Sequence, residues 1–204
     1  MAELDQKVNL PDFPEYQTED GRLKIFGFWV FLAAEVVLFS TLFATYLVFK
    51  DQTAGGPTAK DLFEVKEFMA ETLILLTSSF TCGLATLKMR LGQKKGVLMW
   101  MGLTLLLGLG FMVMEIGEFI KYVGEGATIG TSAFLSAFYV LLSTHGVHVS
   151  LGILWVSLLL IQVVKRGLTP ITSRKLFIAG LYWHFLDVVW IFVFTAVYLT
   201  GLVS

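Results

Sequence analysis

The sequence has few of the residues on which soluble enzymes depend. Its 204 residues include one cysteine, three histidines and four prolines, and only 15% are charged. Soluble domains carry about a quarter charged residues, so a chain that is 56% hydrophobic falls outside that class. The lone Cys82 excludes an intrachain disulfide and a thiolate metal site, and we expect it to be buried as a small hydrophobic residue. A net charge of −1 leaves no basic surface for nucleic acid.

Long apolar runs are abundant instead. A bilayer core about 30 Å thick needs roughly 20 apolar residues in a helix. Five such runs, separated by polar segments, predict an all-α integral membrane bundle with spans at 25–49, 68–87, 96–120, 133–164 and 176–203. These spans make up a transmembrane domain of residues 24–204. Residues 1–23 lack the features of a signal peptide and are predicted to form a retained polar cytoplasmic tail.

Basic residues are distributed unevenly between the two ends of the predicted spans. Eleven of the fifteen lysines and arginines lie in the tail or in the loops after the second and fourth spans, and four lie on the other side. Because basic residues favour cytoplasmic loops, the counts predict a cytoplasmic N-terminus and a periplasmic C-terminus. No extramembrane domain is evident, so any chemistry takes place in the bundle or in a partner.

Ionisable side chains inside the spans are the most informative feature. Each charged acid placed in the middle of a membrane costs roughly 2.5–3.5 kcal/mol on insertion scales, so such groups face the bundle, pair or stay protonated. They are the candidate buried polar, structural or proton-related residues, and we identify no catalytic, cofactor-binding or metal-binding residue. The candidates are Glu35, Glu71, Glu115, Glu118, His145, His148, His184 and Asp187.

Helical spacing groups several of these residues. His145 with His148, and His184 with Asp187, share one face of their helices, which predicts polar stripes at the contacts between helices. Gly146 and Ser150 predict a close helix contact. Three interpretations compete: a metal or haem site as in diiron bundles, a proton path as in an antiporter, and hydrogen-bonded pairs that fix helix register in a larger assembly. The third is favoured, since inward-facing carboxylates and histidines are what any polar network between helices would use.

Five segments carry a resemblance to a known family. In chain order, one per predicted span, they are "AEVVLFSTLFATY" (Ala34–Tyr46), "ETLILLTSS" (Glu71–Ser79), "GFMVMEIGEF" (Gly110–Phe119), "THGVHVSLG" (Thr144–Gly152) and "YWHFLDVVWIFVFT" (Tyr182–Thr195). This ordered set resembles the signature segments of subunit III of the haem–copper terminal oxidases. The five spans, the "KIFGFW" entry and the "TAGGPT" loop most resemble the five-helix subunit III of bacterial cytochrome bo-type ubiquinol oxidases.

The resemblance implies a role in a larger enzyme. It implies a non-redox accessory subunit of a proton-pumping quinol oxidase that reduces oxygen to water in the respiratory chain of the bacterial cytoplasmic membrane. Haems and copper would lie in subunit I, which would be the main contact of this chain. This chain would also contact other oxidase subunits and membrane lipids, including a bound phospholipid. The implied contributions are stability and proton uptake of subunit I.

Two alternative functions are also compatible with the sequence. A shortened subunit III of a cytochrome c oxidase would carry the same segments, because the electron donor binds to another subunit. An independent metal-binding or proton-coupled transporter would use the same histidines and acids. The third segment also departs from the family, which often has Gln-x-x-Glu-Tyr where this chain reads "EIGEF", so we expect the extra acid, Glu115, to be protonated or paired.

Overall fold

The computed structural model describes residues 13–16 and 18–203. Five long helices cross the molecule: α1 (Glu19–Phe49), α3 (Val65–Arg90), α4 (Lys94–Gly124), α5 (Ala133–Arg166) and α6 (Pro170–Val193). A short α2 (Ala59–Leu62) lies between α1 and α3, and α6 continues through a π-helical segment (Phe194–Leu199) into α7 (Thr200–Val203). A 3₁₀ turn at Pro14–Tyr16 precedes α1, and no strand occurs in the described residues. All five long helices have the length and apolar composition of membrane spans, which confirms the predicted all-α bundle.

The helices begin and end where capping residues allow. The Thr18 side chain accepts the Gly21 N–H and starts α1, and Thr169 accepts the Thr172 N–H before Pro170 begins α6. Both helices therefore start six residues before the spans predicted from hydropathy. Gly167, with φ of 72°, closes α5 in the left-handed conformation that favours glycine.

Helices α5 and α6 form the centre of the bundle. Both contact α1, while α5 also packs against α4 and α6 also packs against α3. The pair α3 and α4 makes the most extensive contact, because only a three-residue turn at 91–93 joins them. We call the end at which α1, α4 and α6 begin the basic end, since Arg90, Lys94 and Arg174 lie there.

Two apolar clusters fill the interior. The smaller lies toward the basic end and includes Cys82, which is fully buried as predicted. It also contains Trp183 of α6, whose ring lies between Gly108 of α4 and Gly152 of α5. The larger cluster is aromatic and lies toward the opposite end, where Trp190 and Tyr198 are fully buried.

Candidate functional site

Seven of the eight candidate residues lie in three separate places, and His145 lies alone in the interior. The first place is a buried carboxyl cluster, formed by Glu71 of α3 with Glu115 and Glu118 of α4. The second is a pair that joins α1 to α5, and the third is a groove between α3 and α6. A helical pattern identifies which residues share a face of their own helix, but it carries no information on which neighbour that face meets.

Glu118 is the best-satisfied member of the carboxyl cluster. Its Oε1 accepts a hydrogen bond of 2.8 Å from the Tyr122 hydroxyl, one turn further along α4. Its Oε2 accepts a second of 2.9 Å from the Tyr198 hydroxyl in the π-helical segment after α6. All three side chains are buried, so the two phenols replace the hydration that this acid loses. The cluster therefore ties α4 to the last span.

Glu71 and Glu115 are buried with fewer partners. Among the described residues, Oε2 of Glu71 and both carboxyl oxygens of Glu115 lack a hydrogen bond. The Glu115 carboxyl lies against Gly146 of α5, where an added Cβ would be 2.9 Å from Oε2. The space left by the missing side chain at Gly146 therefore holds the Glu115 carboxyl of α4. A carboxylate buried without a cation is costly, so these acids suit a protonated form.

His145 occupies the interior beside this cluster. Its ring is completely buried, and neither ring nitrogen has a hydrogen-bond partner in the described part of the chain. Phe111 and Trp190 pack against it, with ring centroids 6.0 Å and 5.4 Å away. The ring thus lies in an aromatic environment in which the neutral imidazole is favoured by desolvation.

The second place is the contact between Glu35 of α1 and His148 of α5. The Glu35 Oε2 lies 3.2 Å from His148 Nε2, and both side chains are largely buried. The other ring nitrogen, Nδ1, lies 2.7 Å from the Thr144 carbonyl oxygen and must donate to it. The pair joins α1 to α5 through a contact between a carboxyl and an imidazole.

The third place is a groove on the outside of the bundle, with a volume of about 390 Å³. Its ionisable residues are His184 and Asp187 of α6, both half-buried, with Ser79 of α3 beside them. The Ser79 hydroxyl lies 2.8 Å from His184 Nδ1, whereas Asp187 Oδ1 has no partner among the described residues. Apolar side chains and one glycine form the walls: Leu76, Phe80, Gly83 and Leu84. We call this opening the α3–α6 groove.

Other polar contacts were not predicted from the sequence. Tyr122 has a local signal, since it follows Glu118 by one helical turn. The indole N–H of Trp183 donates to Ser78 Oγ at 2.8 Å, and that of Trp190 to Thr72 Oγ1 at 3.1 Å. No local signal predicts these bonds, because they join α6 to α3 across more than a hundred residues.

The N-terminal segment also contributes a buried acid. Glu15, in the 3₁₀ turn, accepts from the Arg90 guanidinium at 2.9 Å and is almost completely buried. The Phe13 ring lies below the same guanidinium, 4.3 Å from its centre. The turn therefore covers the C-terminal end of α3 and forms an ion pair there in which the Glu15 carboxylate is buried.

The arrangement joins helices through hydrogen bonds between polar side chains. In residues 13–16 and 18–203, no three side chains of His, Cys, Asp or Glu are grouped to hold a metal ion. The histidines are divided between the interior, the α1–α5 pair and the α3–α6 groove, so they do not converge on one centre.

Comparison with known proteins identifies the family. Residues 18–202 match the family model described as Cytochrome c oxidase subunit III. The chain is 63% identical over 188 residues to Quinol oxidase subunit 3 of Bacillus subtilis (strain 168), covering 92% of each chain. It is 48% identical over 204 residues to Cytochrome c oxidase subunit 3 of Bacillus sp. (strain PS3), covering 98% of this chain and 99% of the relative.

A third relative carries the name of the oxidase type that the sequence motifs most resemble, the bo-type ubiquinol oxidase. Identity is 46% over 183 residues to Cytochrome bo(3) ubiquinol oxidase subunit 3 of Pseudomonas putida, covering 90% of this chain and 88% of the relative. The resemblance inferred from the five ordered segments is thereby confirmed. The chain belongs to the cytochrome c oxidase subunit III family.

Proposed function

We propose that this chain is subunit III of a terminal quinol oxidase, a non-redox accessory subunit of a complex that reduces oxygen to water and translocates protons. The observation that carries this proposal is the 63% identity, over 188 residues, to a protein named Quinol oxidase subunit 3. Relatives named Cytochrome c oxidase subunit 3 are less similar, at 48% and 47% identity.

Chain length does not support quinol over cytochrome c as the electron donor. The cytochrome c oxidase relative from strain PS3 is covered over 99% of its length, so it is as short as this chain. A chain of this length therefore occurs among relatives of both names, which is why a shortened cytochrome c oxidase subunit III stays an alternative. A cytochrome c oxidase subunit III is the second candidate, and the degree of identity ranks it below the first.

The redox centres and the main contact belong to partner subunits in this proposal. Haems and copper lie in subunit I, and subunit I is the principal neighbour of this chain. The outward-facing surface of the long helices is largely apolar, with Val37, Leu106 and Val113 among its exposed side chains, which supports contacts with lipid and with other membrane subunits.

Orientation and location follow from the charge distribution and the relatives. The N-terminus lies in the cytoplasm and the C-terminus in the periplasm, because ten of the fourteen lysines and arginines in the described residues lie toward the basic end. The relatives compared above are bacterial, so the membrane is the bacterial cytoplasmic membrane. Residues 1–12 of the proposed cytoplasmic tail lie outside the described residues.

The buried acids serve the partner by holding helices in register and by retaining protons. Glu118, with its two tyrosine donors, supports a structural role, since its hydrogen bonds join α4 to the last span. The Glu35–His148 contact supports a proton-related role, since it places a carboxyl oxygen 3.2 Å from an imidazole nitrogen between two spans. Durability of subunit I during turnover and proton uptake into it are the functions that these two features would serve.

Copurification tests the proposal directly. An affinity-tagged full-length chain, extracted from its native membrane in mild detergent, should bring down haem-containing subunits and oxidise quinol rather than reduced cytochrome c. Deletion of the chain should leave the haem spectra of the remaining complex intact and shorten its lifetime under turnover. Oxidation of cytochrome c would favour the second candidate.

Purification of the chain without haem-containing subunits would overturn both candidates. Elemental analysis of that preparation would then test the transporter hypothesis, for which stoichiometric iron, zinc or copper is the expected result. Family membership argues against this outcome, because the match spans residues 18–202.

A further inference from the structure

Three polar side chains in the interior of the bundle have more hydrogen-bonding capacity than the chain satisfies. Their unpaired atoms are Glu71 Oε2, both carboxyl oxygens of Glu115 and both ring nitrogens of His145, none of which has a partner among the described residues. The three side chains are at most 2% exposed, so bulk solvent does not reach them. Buried polar groups are nearly always hydrogen-bonded to protein or to ordered water, so these atoms require a further partner.

The three side chains lie in one region of the bundle. The Glu115 carboxyl lies against Gly146, the residue that follows His145 on α5. The His145 ring contacts Phe111, one helical turn before Glu115 on α4, with ring centroids 6.0 Å apart. Glu71 is close enough to Glu115 for the two carboxyls to interact electrostatically. The unpaired atoms of α3, α4 and α5 therefore belong to a single site.

The side-chain donors beside this region already have acceptors. The indole of Trp190 packs against the His145 ring, but its N–H donates to Thr72. The hydroxyls of Tyr122 and Tyr198 both donate to Glu118. Backbone N–H groups in the middle of a helix bond to carbonyl groups of the same helix. The unpaired carboxyl oxygens consequently have no free donor nearby in the described part of the chain.

A change of protonation state does not remove the need for partners. A protonated carboxyl group has one O–H donor, but its other oxygen still only accepts, and a neutral imidazole has one donor and one acceptor nitrogen. Neutral forms of Glu115 and His145 therefore lower the cost of burial without pairing all of their polar atoms. The missing partner has to donate and accept, and it has to be small enough for a packed interior.

Water meets these requirements of chemistry and spacing. A buried water molecule typically makes about three hydrogen bonds to polar groups that are otherwise unpaired. Two hydrogen bonds of about 2.8 Å that share one water oxygen join atoms up to roughly 5.6 Å apart. Phe111, which contacts the His145 ring, lies about 6 Å from Glu115 along the axis of α4. One or two water molecules therefore suffice to connect the imidazole to the carboxyl.

We propose that one or two water molecules are bound inside the bundle between Glu71, Glu115 and His145, and that their hydrogen bonds join α3, α4 and α5. These waters supply the donors that the two carboxyl groups lack, as two tyrosine hydroxyls do for Glu118. The inference concerns the interior of this chain alone, so it holds whichever oxidase the chain serves.

X-ray footprinting of the full-length chain, purified from its native membrane with its partner subunits, tests for water at this site. X-rays split bound water into hydroxyl radicals, which oxidise the side chains beside it. Trp190 packs against His145 and reports on the site. Trp183 is the matched control, because it is also a buried tryptophan of α6 whose indole N–H donates to a hydroxyl of α3.

Mass spectrometry should find Trp190 oxidised several-fold faster than Trp183. Bulk solvent cannot produce this difference, since Trp190 is completely buried and Trp183 is 3% exposed. Equal rates, or faster oxidation of Trp183, would overturn the proposal.

Removal of the polar atoms provides the second test. His145→Phe retains an aromatic ring but removes both ring nitrogens, and Glu115→Leu removes both carboxyl oxygens. Each change should lower the oxidation rate of Trp190 several-fold, toward the rate of Trp183. His148→Phe is the matched control, because it makes the same substitution one turn further along α5, in the pair with Glu35. It should leave the oxidation of Trp190 unchanged.

Thermal melting of each variant limits this comparison to chains that fold like wild type. Oxidation of Trp190 at the wild-type rate in both His145→Phe and Glu115→Leu would overturn the proposal. Where neither variant folds, the comparison of the two tryptophans in the wild-type chain decides the question.

A density map of the same preparation, at a resolution that shows ordered water, locates the molecules directly. A water peak should lie about 2.7–3.2 Å from a Glu115 carboxyl oxygen, and that peak or a second one beside it should lie as close to a His145 nitrogen. A direct bond between the two side chains with no water peak would overturn the proposal. A chain that purifies without haem-containing subunits would overturn the proposed function and leave this test intact.

Discussion

Substitution of Gly108 by alanine is expected to destabilise the bundle, even though alanine favours a helix. A Cβ at position 108 would lie 2.7 Å from Cη2 and 2.9 Å from Cζ2 of Trp183. The indole would have to move by about 0.8–1.3 Å to restore an ordinary carbon–carbon contact of 3.5–4.0 Å. The indole also lies close to α5, where a Cβ added at Gly152 would be 3.3 Å from the same ring, so movement of the ring toward α5 is limited. The ring is also held by its 2.8 Å hydrogen bond to Ser78.

The expected loss is about 1–3 kcal/mol, the usual cost of adding a methyl group to a well-packed core. If the indole moves far enough to break its bond to Ser78, a further 0.5–1.5 kcal/mol or so is lost. The gain in helix propensity from glycine to alanine is about 1 kcal/mol and opposes these terms. Gly110→Ala is the matched control, because it has the same propensity gain and meets nothing within 4 Å.

Reversible unfolding in mixed micelles, followed by tryptophan fluorescence, measures the difference between the two variants. Since 1.36 kcal/mol corresponds to a factor of ten, the unfolding constant of Gly108→Ala should exceed that of Gly110→Ala by about five- to 150-fold. A Gly108→Ala chain as stable as Gly110→Ala would refute the reasoning, because it would mean that Trp183 does not fill the space between α4 and α5.

Three further predictions concern hydrogen bonds. Tyr198→Phe should lower stability by about 1–3 kcal/mol in the same unfolding assay, since it removes one of the two donors to the buried Glu118. A double-mutant cycle with Glu35→Ala and His148→Ala should give a coupling energy of about 0.5–3 kcal/mol. Carboxyl NMR should find the pKa of Asp61, in the loop helix α2, below its ordinary value, because the hydroxyl of the capping residue Thr58 donates a hydrogen bond to the carboxylate. The stability that this hydrogen bond adds to the folded chain should persist at neutral pH and be lost as the pH falls through the lowered pKa.

Each of these has a control or a contrary outcome. Tyr46→Phe removes the hydroxyl of another buried tyrosine side chain, one with no hydrogen bond among the described residues, so it should cost less than Tyr198→Phe. Additive losses in the cycle would mean that the α1–α5 contact contributes nothing. An Asp61→Asn chain should lose the acid-dependent change, and an unaltered acid profile would contradict the capping interaction.

Helix ends were the weakest part of the prediction from hydropathy. Hydropathy measures apolar length, and it therefore located the five spans but not the polar first turns of α1 and α6. Those turns exist because Thr18 and Thr169 satisfy free N–H groups, so the helix continues beyond the hydrocarbon region. Both capping residues are visible in the sequence, and a search for caps would have found them.

The amino-acid sequence alone determined the class of the protein and the residues worth examining. Five apolar runs of spanning length have no stable alternative to helices in a membrane, because every backbone polar group must be satisfied within its own segment. The cost of placing ionisable groups in those runs identified the eight candidates without reference to any neighbour. The ordered motifs, one per run, identified the family.

Only the tertiary structure decided how those residues are grouped. Helical periodicity gives the face of a residue on its own helix, but the neighbour that meets this face depends on packing between distant segments. Packing brings Tyr198 to Glu118 across 80 residues and Glu35 to His148 across 113. It also places His184 and Asp187 in an outer groove beside Ser79 of α3. Contacts of such long sequence separation depend on how helices fit together, which no local pattern encodes.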